Sequence, residues 1–215
     1  MTDTELTVIH QDADLLVLEK PAGLLSVPGR GLDKQDCLSA RVQALYPDAM
    51  VVHRLDMATS GLMLFARGLA AQRILSQAFA ERRVAKRYVA LVAGQPTRPE
   101  QDWGVIDLPI AADWPRRPLR KIDHRLGKAS VTRWRLAGGC RAQQATRLEL
   151  EPETGRSHQL RVHLQALGHP ILGDPLYGTP ESQAMAPRLL LHATRLAFTH
   201  PVSEQPLQFI STADF

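Results

Sequence analysis

Short apolar runs bounded by turn-forming residues constrain the fold of this chain more than any other feature. The segment VIHQDADLLVLEK predicts two strands around a turn at Asp12–Asp14. The runs at Val51–Val52 and Leu62–Ala66 are short and wholly apolar, which is typical of buried strands. Further strands are predicted at Val84–Val92, Val105–Ile110, Ser130–Leu136 and Ala145–Leu150, and near Leu189, Leu196 and Phe209.

Three segments have helical spacing instead. Two of them are Leu38–Leu45 and Gly68–Arg83, and the third begins with Thr154 as its predicted N-cap and ends before Gly168. Because strands outnumber helices and do not alternate with them regularly, the sequence predicts an α+β fold with a largely antiparallel or mixed sheet. No repeat, low-complexity tract or long linker divides the chain, so a single domain over residues 1–215 is predicted.

Composition indicates a globular chain in a reducing compartment. Of the 215 residues, 44% are hydrophobic and 22% are charged, and wholesale disorder is not expected at these values. No apolar run approaches the roughly 20 residues of a membrane helix, and the acidic N-terminus does not resemble a signal peptide. The two cysteines, Cys37 and Cys140, form no paired motif. These features predict a cytoplasmic location.

Positive charge is concentrated in the middle of the chain. The net charge is only +4, but basic residues cluster at RRVAKR (Arg82–Arg87), RRPLRK (Arg116–Lys121) and RWR (Arg133–Arg135). Each cluster by itself is consistent with a solvated face. Several together favour a polyanionic partner, since Lys and Arg displace counterions from phosphates. Both interpretations stay open at this point.

The stretch HRLDMATSG (His53–Gly61) places His, Arg and Asp within four residues, directly before the apolar run LMLFA. Asp56 lies between two predicted buried strands, where an unpaired carboxylate is costly, so it needs a cationic partner. An arginine in the second polar segment, TGRSHQ (Thr154–Gln159), would serve. From the residues alone, Asp56 is either a functional carboxylate or one that caps a turn or pairs with a surface arginine.

Several common chemistries lack their sequence signatures. His158 and His163 lie five residues apart, which separates them by about 140° around a helix, and no HExxH or CxxC motif occurs. There is no GxxxxGK[ST], no GxGxxG that opens a helix after a strand, and no GxSxG elbow. We therefore expect no metal and no nucleotide cofactor, and neither Ser60 nor Ser157 is marked as a nucleophile.

HRLDMATSGLMLFAR, KRYVALV and ETGRSHQLRVHLQALGHPILGD resemble, in order and spacing, the three signature blocks of the RluA-type pseudouridine synthases. LLVLEKPAGLLSVPG and APRLLLHA are also similar to that family, so the resemblance runs from about Leu15 to the C-terminus. It implies a curved mixed sheet with peripheral helices and a central active-site cleft. It also implies that no cofactor is needed, because the isomerisation of uridine retains every atom and involves no redox change.

The same resemblance implies roles for four residues. Asp56 matches the catalytic aspartate, Arg156 the arginine that pairs with it, and Tyr88 the tyrosine of the middle block. Arg54 matches the arginine beside the aspartate, which is expected to bind RNA and help displace the target base. Two alternatives stay open: Asp56 attacks C1′ or takes the 2′ proton, and Tyr88 packs against the uracil or relays the C5 proton.

DWPRRP (Asp113–Pro118) and the lack of an extra N-terminal RNA-binding domain resemble family members that modify both a tRNA anticodon stem-loop and 23S ribosomal RNA. The expected partners are therefore stem-loops of tRNA and 23S rRNA, with no membrane and no metal, and a monomer is expected. The alternatives are activity on only one of these RNAs, a noncatalytic RNA-binding module, and an RNA glycosylase. The glycosylase would need a second carboxylate near Asp56, and the motif blocks offer Glu151 and Glu153.

Overall fold

The computed structural model describes residues 6–138 and 144–215, so the predicted lone thiol of Cys140 lies outside the described residues. The chain divides into two compact units. The first runs from the N-terminus to Lys86 and also contains Ala193–Asp214. The second contains Arg87–His192 together with Phe215.

Twelve strands and four α-helices occur in the described ranges, with a one-turn 3₁₀ helix at Leu32–Lys34, and this confirms the α+β prediction. None of the described helices has the length and apolar character that crossing a bilayer requires. The strands are β1 (Thr7–Gln11), β2 (Leu15–Lys20), β3 (Ala49–Val51), β4 (Ser60–Arg67), β5 (Ala85–Ala93), β6 (Gly104–Asp107), β7 (Ile110–Ala112), β8 (Arg120–Ile122), β9 (Val131–Leu136), β10 (Ala145–Pro152), β11 (Leu191–Thr199) and β12 (Pro206–Ile210). The helices are α1 (Leu38–Leu45), α2 (Gly68–Ala80), α3 (Gln159–Ala166) and α4 (Pro180–Ala184).

The first unit is built on the strand order β1-β2-β4-β11-β12, with β3 also paired to β4. The β1–β2, β2–β4, β3–β4 and β11–β12 ladders are antiparallel. In the β2–β4 ladder Leu16 lies opposite Phe65, and Lys20 lies opposite Gly61. Every residue of β4 from Ser60 to Ala66 is buried, which confirms the buried strand that the apolar run predicted. This strand begins directly after the motif of interest and so fixes where the motif ends.

Helix α2 covers the core of the first unit. Its buried residues Ala71, Leu75 and Ala78 recur at helical spacing and pack against β2 and β4. The helix ends at Ala80, three residues earlier than predicted. The reason is a left-handed residue, Arg82 at φ 61°, after which the Arg83 N–H donates to the Ala78 carbonyl at 2.8 Å. This is the Schellman arrangement, normally signalled by a glycine that the sequence lacks here.

The second unit contains the antiparallel strand order β5-β10-β9-β6 and a separate antiparallel pair, β7–β8. The sequence predicted one strand over Val105–Ile110, and this was wrong: β6 ends at Asp107 and β7 begins at Ile110. Pro109 lies between them, and a proline has no N–H to continue a ladder. The hairpin of β7 and β8 thus leaves the main strand order of this unit.

Two other predicted boundaries were also wrong. Helix α3 begins at Gln159, and Thr154 does not cap it. The Thr154 hydroxyl accepts from the Val131 N–H at 2.9 Å and donates to Gln159 Oε1 at 2.7 Å. The strand predicted near Leu189 is not separate, because β11 begins at Leu191 and includes Leu196. The remaining predicted strands and helix α1 lie within a residue or two of their predicted positions.

Candidate active site

The structure places the four predicted site residues on three segments. Arg54 and Asp56 share the loop between β3 and β4 in the first unit, with Arg54 exposed and Asp56 half-buried. In the second unit, Tyr88 lies on β5 and Arg156 lies in the connection between β10 and α3. The arginine and the aspartate of the motif therefore lie two residues apart in one loop.

The loop that carries Asp56 is held on both sides by hydrogen bonds. The Ser26 hydroxyl donates to the Leu55 carbonyl at 2.7 Å, and the Leu55 N–H donates back to the hydroxyl at 3.1 Å. The Gly23 N–H donates to the Met57 carbonyl at 2.9 Å. Both neighbours of Asp56 are thus tied to the loop that follows β2. The backbone on both sides of Asp56 is therefore fixed.

Gly61 ends the motif for a steric reason. Its backbone has φ 112°, and a Cβ at this position would lie 2.4 Å from the carbonyl oxygen of Ala193. No other residue fits so close an approach to a neighbouring backbone. Thr59 and Ser60, which precede it, are buried. The TSG end of the motif therefore belongs to the packing of β4, and its polar residues serve the fold.

Lys20 is a feature of the site that sequence reasoning missed. Its side chain is fully buried, and Nζ donates to the carbonyls of Pro21, Leu24 and Met57 at 2.7, 2.8 and 3.0 Å. Burial lowers the pKa of the Lys20 ammonium to about 8, and the charge of Asp56 opposes part of that shift. At neutral pH the residue is still mostly protonated. It therefore supplies a positive charge close to Asp56, the predicted catalytic carboxylate, and anchors the carbonyl of Met57, the next residue in the chain.

One signal in the sequence pointed to Lys20. In LLVLEK, Lys20 is in phase with Leu16 and Leu18, which are both fully buried. A lysine on the buried face of a strand requires hydrogen-bond acceptors, and carbonyls of a following loop are the nearest source.

His53 has a structural part in the same motif. Its Nε2 accepts the Leu64 N–H at 2.9 Å, and its ring stacks on Phe79 with 4.5 Å between the ring centroids. Burial lowers the pKa of His53 to about 3, with a smaller contribution from the charge of Lys86. The imidazole is consequently neutral over the working range of an enzyme. It completes the hydrogen bonding of β4.

Tyr88 lies where one face of β5 passes from the core to partial exposure. Ala90 and Val92 are fully buried, whereas Tyr88 is half-buried and lies opposite Leu150 of β10. A tyrosine in this position has its ring supported by the sheet and part of its surface open. Both of its predicted roles, packing against a base and proton relay, are compatible with this placement.

Arg156 is carried by a connection that buried polar side chains hold in place. Gln159 Oε1 accepts from the Arg156 N–H at 3.0 Å, and Gln159 Nε2 donates to the Val131 carbonyl at 2.9 Å. The Arg156 guanidinium is exposed, with Nε 3.4 Å from the Ala129 carbonyl. The backbone is therefore fixed while the charged end faces solvent. The pairing of Arg156 with Asp56 stays a prediction.

One group of potential metal ligands occurs among the described residues, formed by Asp12, Asp14 and His200. His200 Nδ1 accepts the N–H groups of Val202 and Ser203 at 3.2 and 3.0 Å, so the ring proton is on Nε2. That protonated nitrogen is 3.4 Å from a carboxylate oxygen of Asp12. The arrangement is a charge-assisted contact, and the nitrogen that faces the carboxylates has no lone pair for a metal.

Comparisons with known proteins agree with the motif. A model of the family described as RNA pseudouridylate synthase matches residues 14–166. The chain is 49% identical to the "Dual-specificity RNA pseudouridine synthase RluA" of Escherichia coli (strain K12) over 210 residues, which cover 98% of this chain and 94% of that relative. The protein of the same name from Haemophilus influenzae is 45% identical, with the same coverage of both chains.

Solved structures give the same result. "Human RNA Pseudouridylate Synthase Domain Containing 1" has a TM-score of 0.78 and 29% identity, covering 98% of this chain and 84% of that chain. "Human RNA Pseudouridylate Synthase Domain Containing 4" has a TM-score of 0.74 and 27% identity, covering 96% of this chain and 88% of that chain.

Proposed function

The chain belongs to the RNA pseudouridylate synthase family of isomerases, and we propose that it isomerises uridines in stem-loops of both tRNA and 23S rRNA. The proposed targets are uridine 32 of the tRNA anticodon stem-loop and uridine 746 of 23S rRNA. Relatives named for dual specificity that align with 98% of this chain support the proposal. The observation that carries it is the loop of Asp56, which hydrogen bonds from Ser26, Gly23 and Lys20 hold in place.

The proposed reaction breaks the N1–C1′ bond, turns the uracil and joins C5 to C1′. The C5 proton leaves and N1 gains a proton, so the atoms of the uridine are conserved. Asp56 in its ionised form either attacks C1′ or removes the 2′ proton. The Lys20 ammonium supplies a positive charge near this carboxylate, since the charge of Asp56 raises the pKa of Lys20. No water-activating second carboxylate is required, in contrast to glycoside hydrolysis.

The other three residues have proposed roles around this carboxylate. Arg156 pairs with Asp56 and fixes its direction. Tyr88 packs against the uracil or relays the C5 proton to N1. Arg54 is exposed beside Asp56 and fills the space that the target base leaves when it is extruded from the RNA. We propose that the two units act together as one catalytic domain that works as a monomer.

Tritium release from RNA labelled with [5-³H]uridine tests the function directly. The substrates are unmodified transcripts of a tRNA and of a 23S rRNA fragment, assayed separately. Release from both is expected with the parent protein, and Asp56→Asn is expected to reduce the rate by far more than tenfold, or about 1.4 kcal/mol of barrier. RNA binding should persist, because removing a negative charge does not weaken contact with phosphates. Asp33→Asn makes the same charge change at an exposed position and should be fully active.

The outcomes separate the alternatives. Release from one transcript alone would restrict the function to that RNA class. Release of free uracil would indicate a glycosylase, and RNA binding without any release would indicate a noncatalytic module. Asp56→Asn within tenfold of the parent rate would remove Asp56 from the catalytic role.

A further inference from the structure

A cavity of about 630 Å³ opens beside the β7–β8 hairpin of the second unit. Its walls come from the hairpin, from the turn after β8 and from the connection that carries Arg156. Tyr88 of the same unit is not among the residues that line it. The volume suits a small ligand or one unit of a polymer. The reacting base is expected near Tyr88, and Arg156 is the one predicted site residue in this lining, so the part of the cavity beside the hairpin is available for something else.

The base of the hairpin is anchored in a core. Ile110 of β7 belongs to a buried cluster with Val162 and Tyr177. The Tyr177 hydroxyl accepts the Arg120 N–H at 2.8 Å and lies 2.6 Å from Nδ1 of His158. These contacts connect the base of the hairpin to helix α3.

The cavity lining is strongly cationic. Arg120, Lys121, Lys128 and Arg156 contribute four positive charges, and Asp123 contributes one negative charge. Lys121 is paired with Asp123 at 3.1 Å. Within residues 6–138 and 144–215, Arg120 and Lys128 have no carboxylate partner, and the buried Nε of Arg120 has no hydrogen-bond partner. Arg156 is the proposed partner of Asp56, so Arg120 and Lys128 are the two cations that favour an anionic occupant of the cavity.

An aromatic side chain stands at the same cavity. Trp114 is 68% exposed, which is unusual for so large an apolar side chain. The Arg117 guanidinium stacks over its ring at 3.7 Å from the ring centroid. Asp113 accepts a hydrogen bond from Arg116 at 2.8 Å and holds the turn from which Trp114 projects. An exposed indole next to cations without carboxylate partners is the combination that binds a base and its phosphate.

Another arginine-rich cluster of this unit lacks that character. Trp103 is surrounded by Arg87, Arg133 and Arg135, with guanidinium carbons 4.6–5.5 Å from its ring centroid. Carboxylates compensate the charge of these arginines. The ion pairs are Arg135–Glu149 at 2.6 Å, Arg135–Asp102, Arg87–Glu149, Arg87–Glu151 and Arg133–Glu151. The RWR cluster is thus a charge-balanced sheet face, and the polyanion is expected at the hairpin.

We propose that the cavity beside Trp114 binds one unpaired nucleotide of the substrate RNA, other than the uridine that is isomerised. The base stacks on Trp114, and its phosphate is held by Arg120 and Lys128. This subsite determines which RNA loops are bound. The proposal rests on the proposed function, because it takes the bound RNA to be the substrate. The reacting uridine does not enter it, so the subsite contributes to affinity and selection more than to the chemical step.

Fluorescence anisotropy with an unmodified tRNA anticodon stem-loop transcript tests the stacking. Trp114→Ala is expected to raise the Kd about 5- to 150-fold, the range for one base–aromatic stack. Trp114→Phe should recover most of the affinity. Trp103→Ala is the matched control, because it removes an indole from the charge-balanced face, and its Kd should stay within about twofold of the parent. The single-turnover rate of Trp114→Ala at saturating protein should also stay within about twofold, consistent with a role in binding.

Abasic substitution of one loop nucleotide at a time identifies the occupant. For the nucleotide held in the cavity, the losses of binding free energy from the abasic change and from Trp114→Ala should not be additive, whereas for every other loop nucleotide they should be additive. Lys128→Met should reduce the slope of log K against log salt concentration by about one, while exposed Lys34→Met should not.

Three results would overturn the subsite: an unchanged Kd for Trp114→Ala, additivity at every loop nucleotide, or a loss confined to the single-turnover rate. A parent protein that binds the RNA but releases no tritium would refute the proposed function. In that event the anisotropy and abasic measurements would still decide the subsite.

Discussion

Lys20→Met tests whether a buried ammonium holds the site together. The native side chain is fully buried and donates to three carbonyls, and burial lowers the pKa of Lys20 from 10.5 to about 8. Met has a similar length and no charge. The substitution therefore removes the cost of the buried charge and leaves three acceptors without a donor. A shift of this size makes the buried charge cost about 3 kcal/mol at neutral pH, at roughly 1.4 kcal/mol per pKa unit.

Two large effects oppose each other at neutral pH. Each unsatisfied acceptor costs about 1–3 kcal/mol, so three of them offset or exceed the relief of about 3 kcal/mol. The net change in the free energy of unfolding at one pH is consequently a weak test. The pH dependence is specific, because only the parent has a residue 20 that can lose a proton.

The sign follows from proton binding. Between about pH 8 and 10.5 the unfolded chain keeps the proton on Lys20 while the folded chain loses it. The unfolded state then binds more protons, so the stability of the parent rises with pH through this window. Lys20→Met lacks that rise. Relative to the parent, the variant should become less stable by about 2 kcal/mol between pH 7.5 and 10.

Urea unfolding of both proteins at several pH values measures this difference. Burial also lowers the pKa of Lys86, but this residue and the other titratable groups are common to both proteins, so their contributions to the difference in stability cancel. Exposed Lys34→Met is the control and should follow the parent at every pH. A difference between Lys20→Met and the parent that stays constant from pH 7.5 to 10 would refute the buried ammonium. The isomerisation rate of the folded variant should also fall at least about tenfold, because Met57 loses its anchor beside Asp56.

Two further predictions concern the second unit. Arg161→Met should lower the free energy of unfolding in urea by about 3–5 kcal/mol, because the buried Asp174 carboxylate loses the two hydrogen bonds of 2.6 and 2.8 Å that it accepts from Arg161. The double variant Arg161→Met, Asp174→Leu should recover most of this loss, and a loss of less than about 1 kcal/mol in the single variant would contradict the prediction. If the Tyr88 hydroxyl relays the C5 proton, Tyr88→Phe should fold normally, cleave the glycosidic bond and accumulate an RNA adduct on a denaturing gel. Full activity of Tyr88→Phe without an adduct would leave only the packing role, and then Tyr88→Ala should be impaired while Tyr88→Phe is not.

Much of the fold followed from the apolar runs, because burial imposes a period that a sequence displays directly. Helix α1 and the buried strand β4 are cases of this kind. The end of α2 could not be predicted, since Arg82 adopts the left-handed conformation that glycine usually signals. Helix α4 was missed although its signal was present: Thr179 caps it and Pro180 occupies its first turn.

The site was partly readable for a different reason. Asp56 was marked by chemistry, because a carboxylate between buried strands needs an explanation that packing cannot provide. Lys20 carried the same kind of signal on the buried face of β2, but its acceptors are backbone carbonyls, and these leave no trace in residue identity. The case for Trp114 depends on its exposure and on Arg120 and Lys128 having no carboxylate partner among the described residues, and both are properties of the folded chain.

The motif HRLD shows how one short stretch divides its polar groups between the fold and the reaction. His53 accepts a backbone N–H of β4, and burial lowers its pKa to about 3, so its imidazole serves the strand. Leu55 is buried and tied to Ser26, which fixes the chain on which its neighbours stand. Arg54 and Asp56, on either side of Leu55, are left exposed and half-buried. The buried Leu55 thus separates two more exposed charged residues, and a substitution of Leu55 would disturb both the packing of the loop and the candidate site.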